Sequence, residues 1–297
     1  MNKTKAKLSV LHERKLILPA VVVVAIVTQV PFILTIVLSL FKWMVLRPDL
    51  GTKFVFFRNF IRIFSDSNFY TVLLNTFILT IASLTLCMII GMMFAILLDR
   101  NFPGVNIVRT LIIAPFFVMD TAIAVIWKNM ILEPTVGFVG YFALWTHTKP
   151  IHFLGNYPLL TIIILVVWQW TPFFFLVLLA GLQGISKDFI DVAEVDGANW
   201  FQTFIYIKIP LIISHVEVAI MLGLIFILKV FGLIFATTSG GPGHASTNLP
   251  FFVYRTAFWA WDVGEAAALA IITIVFVLLV VMMLFKFLKR RFVEVEL

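Results

Sequence analysis

Six apolar runs of about twenty residues or more leave this 297-residue chain few ways to fold. They cover 16–41, 71–98, 105–127, 158–180, 212–236 and 265–288. Each is long enough to cross a hydrocarbon core of ~30 Å as a helix. The expectation is an all-α integral membrane protein of about six transmembrane helices spread over 16–288, with a basic tail at 1–15 and a second tail at 289–297. Composition agrees: 62% of residues are hydrophobic and 12% charged, against roughly a quarter charged in soluble domains. The first run is longer than a signal-peptide core, so it is expected to remain as a span.

The formal net charge is +7, but the cations form no single stripe of the kind that nucleic acid requires. They gather at the ends of the runs. With both termini on one side, thirteen Lys and Arg residues fall there, including Lys3, Arg14, Lys208 and Lys289, against eight opposite, five of them Lys42, Arg47, Lys53, Arg58 and Arg62. The positive-inside rule then makes both termini cytoplasmic. Trp43, Tyr70, Trp127, Tyr157 and Trp259 fall at run ends, where amphipathic rings anchor at headgroup depth. Cys87 is the single cysteine, which excludes an intrachain disulfide and a cysteine-based zinc site.

The connections differ in content. Between the first two runs, Arg58, Arg62, Asp66 and Asn68 alternate with phenylalanines as in a short amphipathic surface element, with packing as its expected role. The link from Asp99 to Gly104 has the residues of a tight turn and is expected to do nothing more. The segment 184–210 carries four acids in a chain poor in them. Ser186 is a candidate N-cap; Phe189, Val192 and Ala193 share one helical face, while Asp188, Asp191 and Glu194 recur every third residue on another. Gly197 breaks this helix, and a second begins at Asn199 and is expected to end at Pro210. A helix-turn-helix results. Composition alone allows an amphipathic hairpin resting on the bilayer.

These residues resemble the signature of permease subunits of binding-protein-dependent ABC importers, which runs Glu-Ala-Ala, two residues, Asp-Gly-Ala, and closes on Ile-x-Leu-Pro. Here Asp191-Val192-Ala193 stands for the opening, Asp196-Gly197-Ala198 matches in full, and Ile207-Lys208-Ile209-Pro210 matches the close with Ile for Leu. Asp191 departs from the usual Glu and is one methylene shorter. The likeness continues through Asn75-Thr76, Arg109, Pro115, Trp127-Lys128, Trp168, Pro172-Phe173, Lys229-Val230-Phe231 and Gly240-Gly241-Pro242. It is similar to the carbohydrate branch and its maltose-type first permease. The stretches 114–119, 168–170 and 245–248 look closest to sorbitol and mannitol permeases.

The resemblance implies an ATP-driven importer of a polyol or sugar, with a homologous second permease, two ATPase copies and a periplasmic or lipid-anchored substrate-binding protein. Asp191, Ala193, Glu194, Asp196, Gly197, Ala198 and Pro210 would then couple to the ATPase, which hydrolyses ATP with Mg; this chain binds no cofactor and no metal of its own. It carries no Walker-type loop, and no catalytic residue is assigned.

The expected substrate site is the cluster Trp168, Gln169, Trp170 and Thr171, whose aromatic faces suit polyol C–H groups and whose polar tips suit hydroxyls. The alternative is plain helix packing. Asp120 and Lys229 sit deep in apolar runs and are expected to pair with each other, to line a pathway or to lie near an interface. An ion-coupled secondary transporter would more often show inverted repeats and more buried ionisable groups. Disaccharides and glycerol phosphate are the alternative cargoes.

Overall fold

The computed structural model describes the backbone of residues 3–100 and 102–292 and the side chains of 17–49, 51–100 and 102–286. The predicted basic tails, 1–15 and 289–297, lie outside the described side chains. Helices dominate, as lipid demands of any spanning backbone, since a helix satisfies its amides and carbonyls internally. Among the described residues five helices are long and apolar enough to span, or six if a bent pair counts as one. The chain clusters into two units, residues 1–66 with 253–274 and residues 67–252 with 275–297.

In the first unit, α1 (Lys3–Ser39) is exposed along most of its apolar stretch, Ile17–Ser39, with Ser39 at its end buried. A two-residue hairpin follows, β1 (Phe41–Lys42) antiparallel to β2 (Lys53–Phe54), and then α2 (Arg58–Ser65). Buried Asn59 donates to the carbonyls of Ser39 and Phe41 at 2.8 and 2.9 Å, which satisfies acceptors that the end of α1 leaves open. The Val263 amide donates to the Trp43 carbonyl at 2.9 Å. Arg62 pairs with Asp262 at 3.1 Å and also with Glu265. Burial pushes the Asp262 carboxyl above the ordinary carboxylate range, against the opposing pull of Arg62 and Lys42.

The second unit begins with α3 (Ser67–Leu98). After a turn at Gly104, with φ +88°, come α4 (Val105–Ile113), a 3-10 turn (Ala114–Phe117), α5 (Asp120–Val125) and a π turn (Ile126–Ile131). Short α6 (Phe138–Trp145) and α7 (Phe153–Asn156) lead into α8 (Pro158–Gln183). Then follow α9 (Lys187–Val195), α10 (Trp200–Thr203), a π turn (Phe204–Lys208), α11 (Ile209–Leu211), α12 (Ile213–Leu228) and α13 (Gly232–Ala236). Two further helices, α14 (Leu249–Phe258) and α15 (Val263–Phe292), each contribute residues to both units, and Val263–Lys286 of α15 is apolar enough to span.

The core of the second unit lies where α3, α8 and α12 meet. Fully buried Phe174 is seated between two glycines. A Cβ on Gly91 would stand 2.8 Å from that of Phe174, and one on Gly223 would collide with its ring. Small residues let helices pack this closely where lipid supplies no hydrophobic drive between them.

One correction concerns the third run. Expected as a continuous span over 105–127, it is broken into Val105–Phe117 and Asp120–Ile131, which meet at 96°. Pro115 lacks an amide hydrogen to continue the ladder, and Val118 and Met119 adopt extended backbone.

Candidate functional site

The hairpin between α8 and α12 assembles from local rules. The Ser186 hydroxyl caps α9 by accepting from the Asp188 amide at 3.4 Å. At the other end the Ala198 amide donates to the Ala193 carbonyl at 2.9 Å and the Gly197 amide to the Glu194 carbonyl at 3.1 Å. This paired closure is the Schellman motif, and it requires a left-handed residue, which Gly197 supplies with φ +78°. A capping box then starts α10: Asn199 and Gln202 exchange side-chain to backbone bonds, each 2.9 Å.

A Cβ on Gly197 meets nothing within 4 Å in this chain, so the turn's backbone φ is what demands glycine. Two expectations change here. Ala193 is buried, while Phe189, Val192 and Val195 are exposed, so the outward apolar ridge includes Val195 and loses Ala193. Pro210 does not end the second helix. It sits in the first turn of α11, and the π turn before it shifts the hydrogen-bond register where proline offers no amide. The helical path from Trp200 to Leu228 is therefore nearly continuous. Asp188, Asp191, Glu194 and Asp196 are all exposed, and no ion pair among the described residues involves them. The Asp99 link does more than turn the chain: its carboxylate meets Lys208 at 3.7 Å and ties the hairpin to the end of α3.

A second polar zone lies inside the apolar region, where two interrupted helices meet. The first interruption is Val118–Met119 before α5, and the second is Lys229–Phe231 between α12 and α13. Gln169 donates to an Asp120 carboxylate oxygen at 2.8 Å and to the Val118 carbonyl at 3.3 Å. A Cβ on Gly232 would stand 2.6 Å from the other Asp120 oxygen, so glycine there gives the carboxylate room. Asp120 does not pair with Lys229; its partner is Gln169, and Lys229 is exposed at the helix break. The Gln169 carbonyl oxygen is buried and accepts no hydrogen bond among the described residues.

Trp168, Gln169, Trp170 and Thr171 do not converge on one site. Successive residues on a helix point about 100° apart. Trp170 stacks on Phe226 with centroids 4.9 Å apart and touches Phe116 edge-on, while Gln169 reaches Asp120. Only Trp168 and Thr171, three residues apart, share a wall. They line an apolar cavity of about 540 Å³ with Leu86, Ile90, Leu111 and Pro115.

Sequence reasoning passed over some polar residues. Glu217 is buried in α12, and a lone carboxylate in an apolar run was the signal available for it. The stretch 245–248 served only as a likeness, yet Ser246, Thr247 and Asn248 are buried to within 1% of full burial. Asn248 donates to the Val230 carbonyl at 2.6 Å, and Asn75 to those of His244 and Thr247 at 2.8 and 3.3 Å.

Residues 74–294 match the family described as binding-protein-dependent transport system inner membrane component. The chain is 32% identical over 266 residues to the trehalose/maltose transport system permease protein MalF of Thermococcus litoralis, covering 89% of this chain and 88% of that one. It is 29% identical over 253 residues to the sn-glycerol-3-phosphate transport system permease protein UgpA of Rhizobium meliloti, covering 83% and 86%. A chain of a bacterial ABC transporter that imports the acidic polysaccharide alginate shares its fold with a TM-score of 0.82, at 21% identity and with 98% and 99% covered. The match over three quarters of its length and the likeness to full-length permeases make this chain a member of the family of inner-membrane components of binding-protein-dependent transport systems.

Proposed function

We propose that this chain is one permease subunit of an ATP-driven sugar-type importer, and that the segment 184–210 receives the stroke of a cytoplasmic ATPase. The observation that carries this reading is a hairpin closed by its own caps that leaves an apolar ridge and four carboxylates outside. A rigid body of that kind suits a partner with an apolar cleft and a basic rim. Both termini and the hairpin lie in the cytoplasm on this reading. The assembly comprises a homologous second permease, two ATPase copies that hydrolyse ATP with Mg, and a substrate-binding protein outside.

Movement of the hairpin has a mechanical route inward. The near-continuous helix from Trp200 to Leu228 ends at the Lys229–Phe231 break, beside the Asp120 and Gln169 pair. The Lys208 to Asp99 ion pair links the same motion to α3. A helix break is where such a displacement is absorbed.

The cargo we favour is a neutral polyhydroxy solute, with sorbitol or mannitol as the first choice on the 168–170 and 245–248 stretches. A disaccharide is the second reading, favoured by the trehalose/maltose relative. The unpartnered Gln169 carbonyl, beside Asp120, can accept from a hydroxyl and supports a polyhydroxy cargo. The test is uptake of labelled sorbitol, mannitol, trehalose, maltose and glycerol phosphate into vesicles holding the whole assembly, with and without its binding protein. Uptake of sorbitol or mannitol that requires ATP is expected. Uptake of none of these solutes overturns the carbohydrate reading, and uptake driven by an ion gradient without ATP overturns the importer.

A further inference from the structure

The basic residues opposite the termini are concentrated: five of the eight lie between residues 42 and 62, where the only acid is Asp49. The structure sorts them. Arg47 pairs with Asp49 at 3.5 Å, and Lys53 lies in β2. The remaining three, Lys42, Arg58 and Arg62, line one cavity of about 350 Å³ together with Asn59, Val55 and Ile61. No acid contributes to that lining. Arg62 is held by Asp262 and Glu265 behind it, which fixes its donors in place and offsets its charge, so the free positive charge of the cavity comes from Lys42 and Arg58. Lys42 feels Asp262 without an ion pair within 4 Å, and Arg58 has no ion pair among the described residues. Neither charge is neutralised at contact distance by a described acid.

The surroundings of the cavity are apolar. Ile61 is 65% exposed on its rim, Phe64 stands exposed on the same short helix and Phe57 is exposed just before it. Phe41, Phe54, Phe56, Phe57 and Phe60 form an edge-to-face chain with centroid separations of 4.3 to 5.9 Å. Lys42 follows the end of the apolar stretch Ile17–Ser39 by three residues, which sets it at headgroup depth in a bilayer. A free anion would use the cations and leave the aromatic face idle. A molecule with an anionic head and an apolar tail uses both.

We propose that the Lys42, Arg58 and Arg62 cavity holds the phosphate of an anionic phospholipid, whose chains lie along Phe57, Ile61 and Phe64. Asn59 is spoken for by the Ser39 and Phe41 carbonyls and shapes the floor. The site does not depend on which leaflet it faces or on the solute carried.

Native mass spectrometry of the full chain in neutral detergent tests it, with phosphatidylglycerol, phosphatidylcholine and inorganic phosphate as probes at matched concentrations. Retention of phosphatidylglycerol over phosphatidylcholine is expected. Arg58→Ala should weaken it about fivefold and Lys42→Ala with Arg58→Ala roughly thirtyfold. Arg47→Ala, equally basic but paired elsewhere, should leave it unchanged. Ile61→Ser should weaken the lipid and not inorganic phosphate. Equal retention by the double variant and the parent overturns the site. Inorganic phosphate binding as tightly as phosphatidylglycerol overturns the lipid assignment. Circular dichroism of each variant separates lost binding from lost fold.

Discussion

The hairpin at 186–212 and the loop at 237–251 are both polar interruptions between apolar helices, and they spend their polarity in opposite directions. The hairpin's side-chain bonds span two to four residues, from Ser186 to Asp188 and from Asn199 to Gln202 and Thr203, and its carboxylates face outward. The loop turns its polar groups inward and reaches far. Thr247 donates to the Gly240 carbonyl at 2.9 Å, Asn248 to Val230 across 18 residues, and the Leu249 amide to Thr76 on α3 across 173. A segment closed by local caps keeps its shape without neighbours and presents its outer surface to a partner. A segment closed by distant bonds takes its shape from the helices it joins. The loop's polar groups are buried where no water replaces a lost partner, so the second arrangement depends more heavily on each bond.

The comparison predicts its largest effect at Gly240. Its φ is +77°, and a Cβ would stand 2.5 Å from the Thr247 hydroxyl and 2.6 Å from the Phe251 ring. Gly240→Val combines left-handed strain of about 1–2 kcal/mol with overpacking of about 1–3 kcal/mol. Expected is a chain that reaches the membrane poorly and melts early in detergent. A melting temperature equal to the parent's would show that the loop is soft and would erase the contrast. Asn248→Ala comes next, since it removes the bonds to the Val230 carbonyl and from the Phe251 amide. Roughly 1–3 kcal/mol is expected for each buried group that loses its partner, read as a lower melting temperature of the full chain.

Gly197 offers the matched experiment in the hairpin. Its φ of +78° is nearly that of Gly240, but open space surrounds it. Gly197→Val should therefore cost only the left-handed strain, about 1–2 kcal/mol, and leave insertion intact while abolishing uptake and coupled ATP hydrolysis. Gly197→Asn, which tolerates the left-handed region, should retain the turn and most of the uptake. Loss of uptake in the Asn variant would mean that a partner approaches the Gly197 backbone too closely for any side chain. Normal uptake by the Val variant would remove the hairpin from the coupling path.

What was legible in the sequence follows the same division. Local signals carried the hairpin, because Ser186, Gly197 and Asn199 act on backbone groups within a few residues, and run length carried the spans. The broken third span was hidden because a bent helix and a straight one are equally apolar; Pro115 was the single hint. The cluster at 168–171 failed because neighbours along a helix diverge in space. Arg62 with Asp262 and Asn75 with Thr247 lie 200 and 172 residues apart, and no local pattern signals such contacts. Lys208 with Asp99 belongs with them, since each looked like an ordinary residue of its own connection.

That last pair is the one ion pair among the described residues that ties the hairpin to the end of α3, and it gives the smallest predicted effect. Its separation is 3.7 Å and both side chains are about a quarter exposed, so a coupling of roughly 0.2–1 kcal/mol is expected. Lys208→Met and Asp99→Asn should each lower thermal stability slightly, and the double variant should lose less than the sum of the two. The swap Lys208→Asp with Asp99→Lys should recover the difference in low salt and lose it in high salt, as screening requires. If the pair only decorates the surface, the cycle returns zero coupling and uptake is unchanged in every variant. A measurable coupling together with a reduced ratio of solute imported to ATP hydrolysed would instead make the pair a tether through which motion of the hairpin reaches α3, so that a weak bond matters by where it sits and not by its strength.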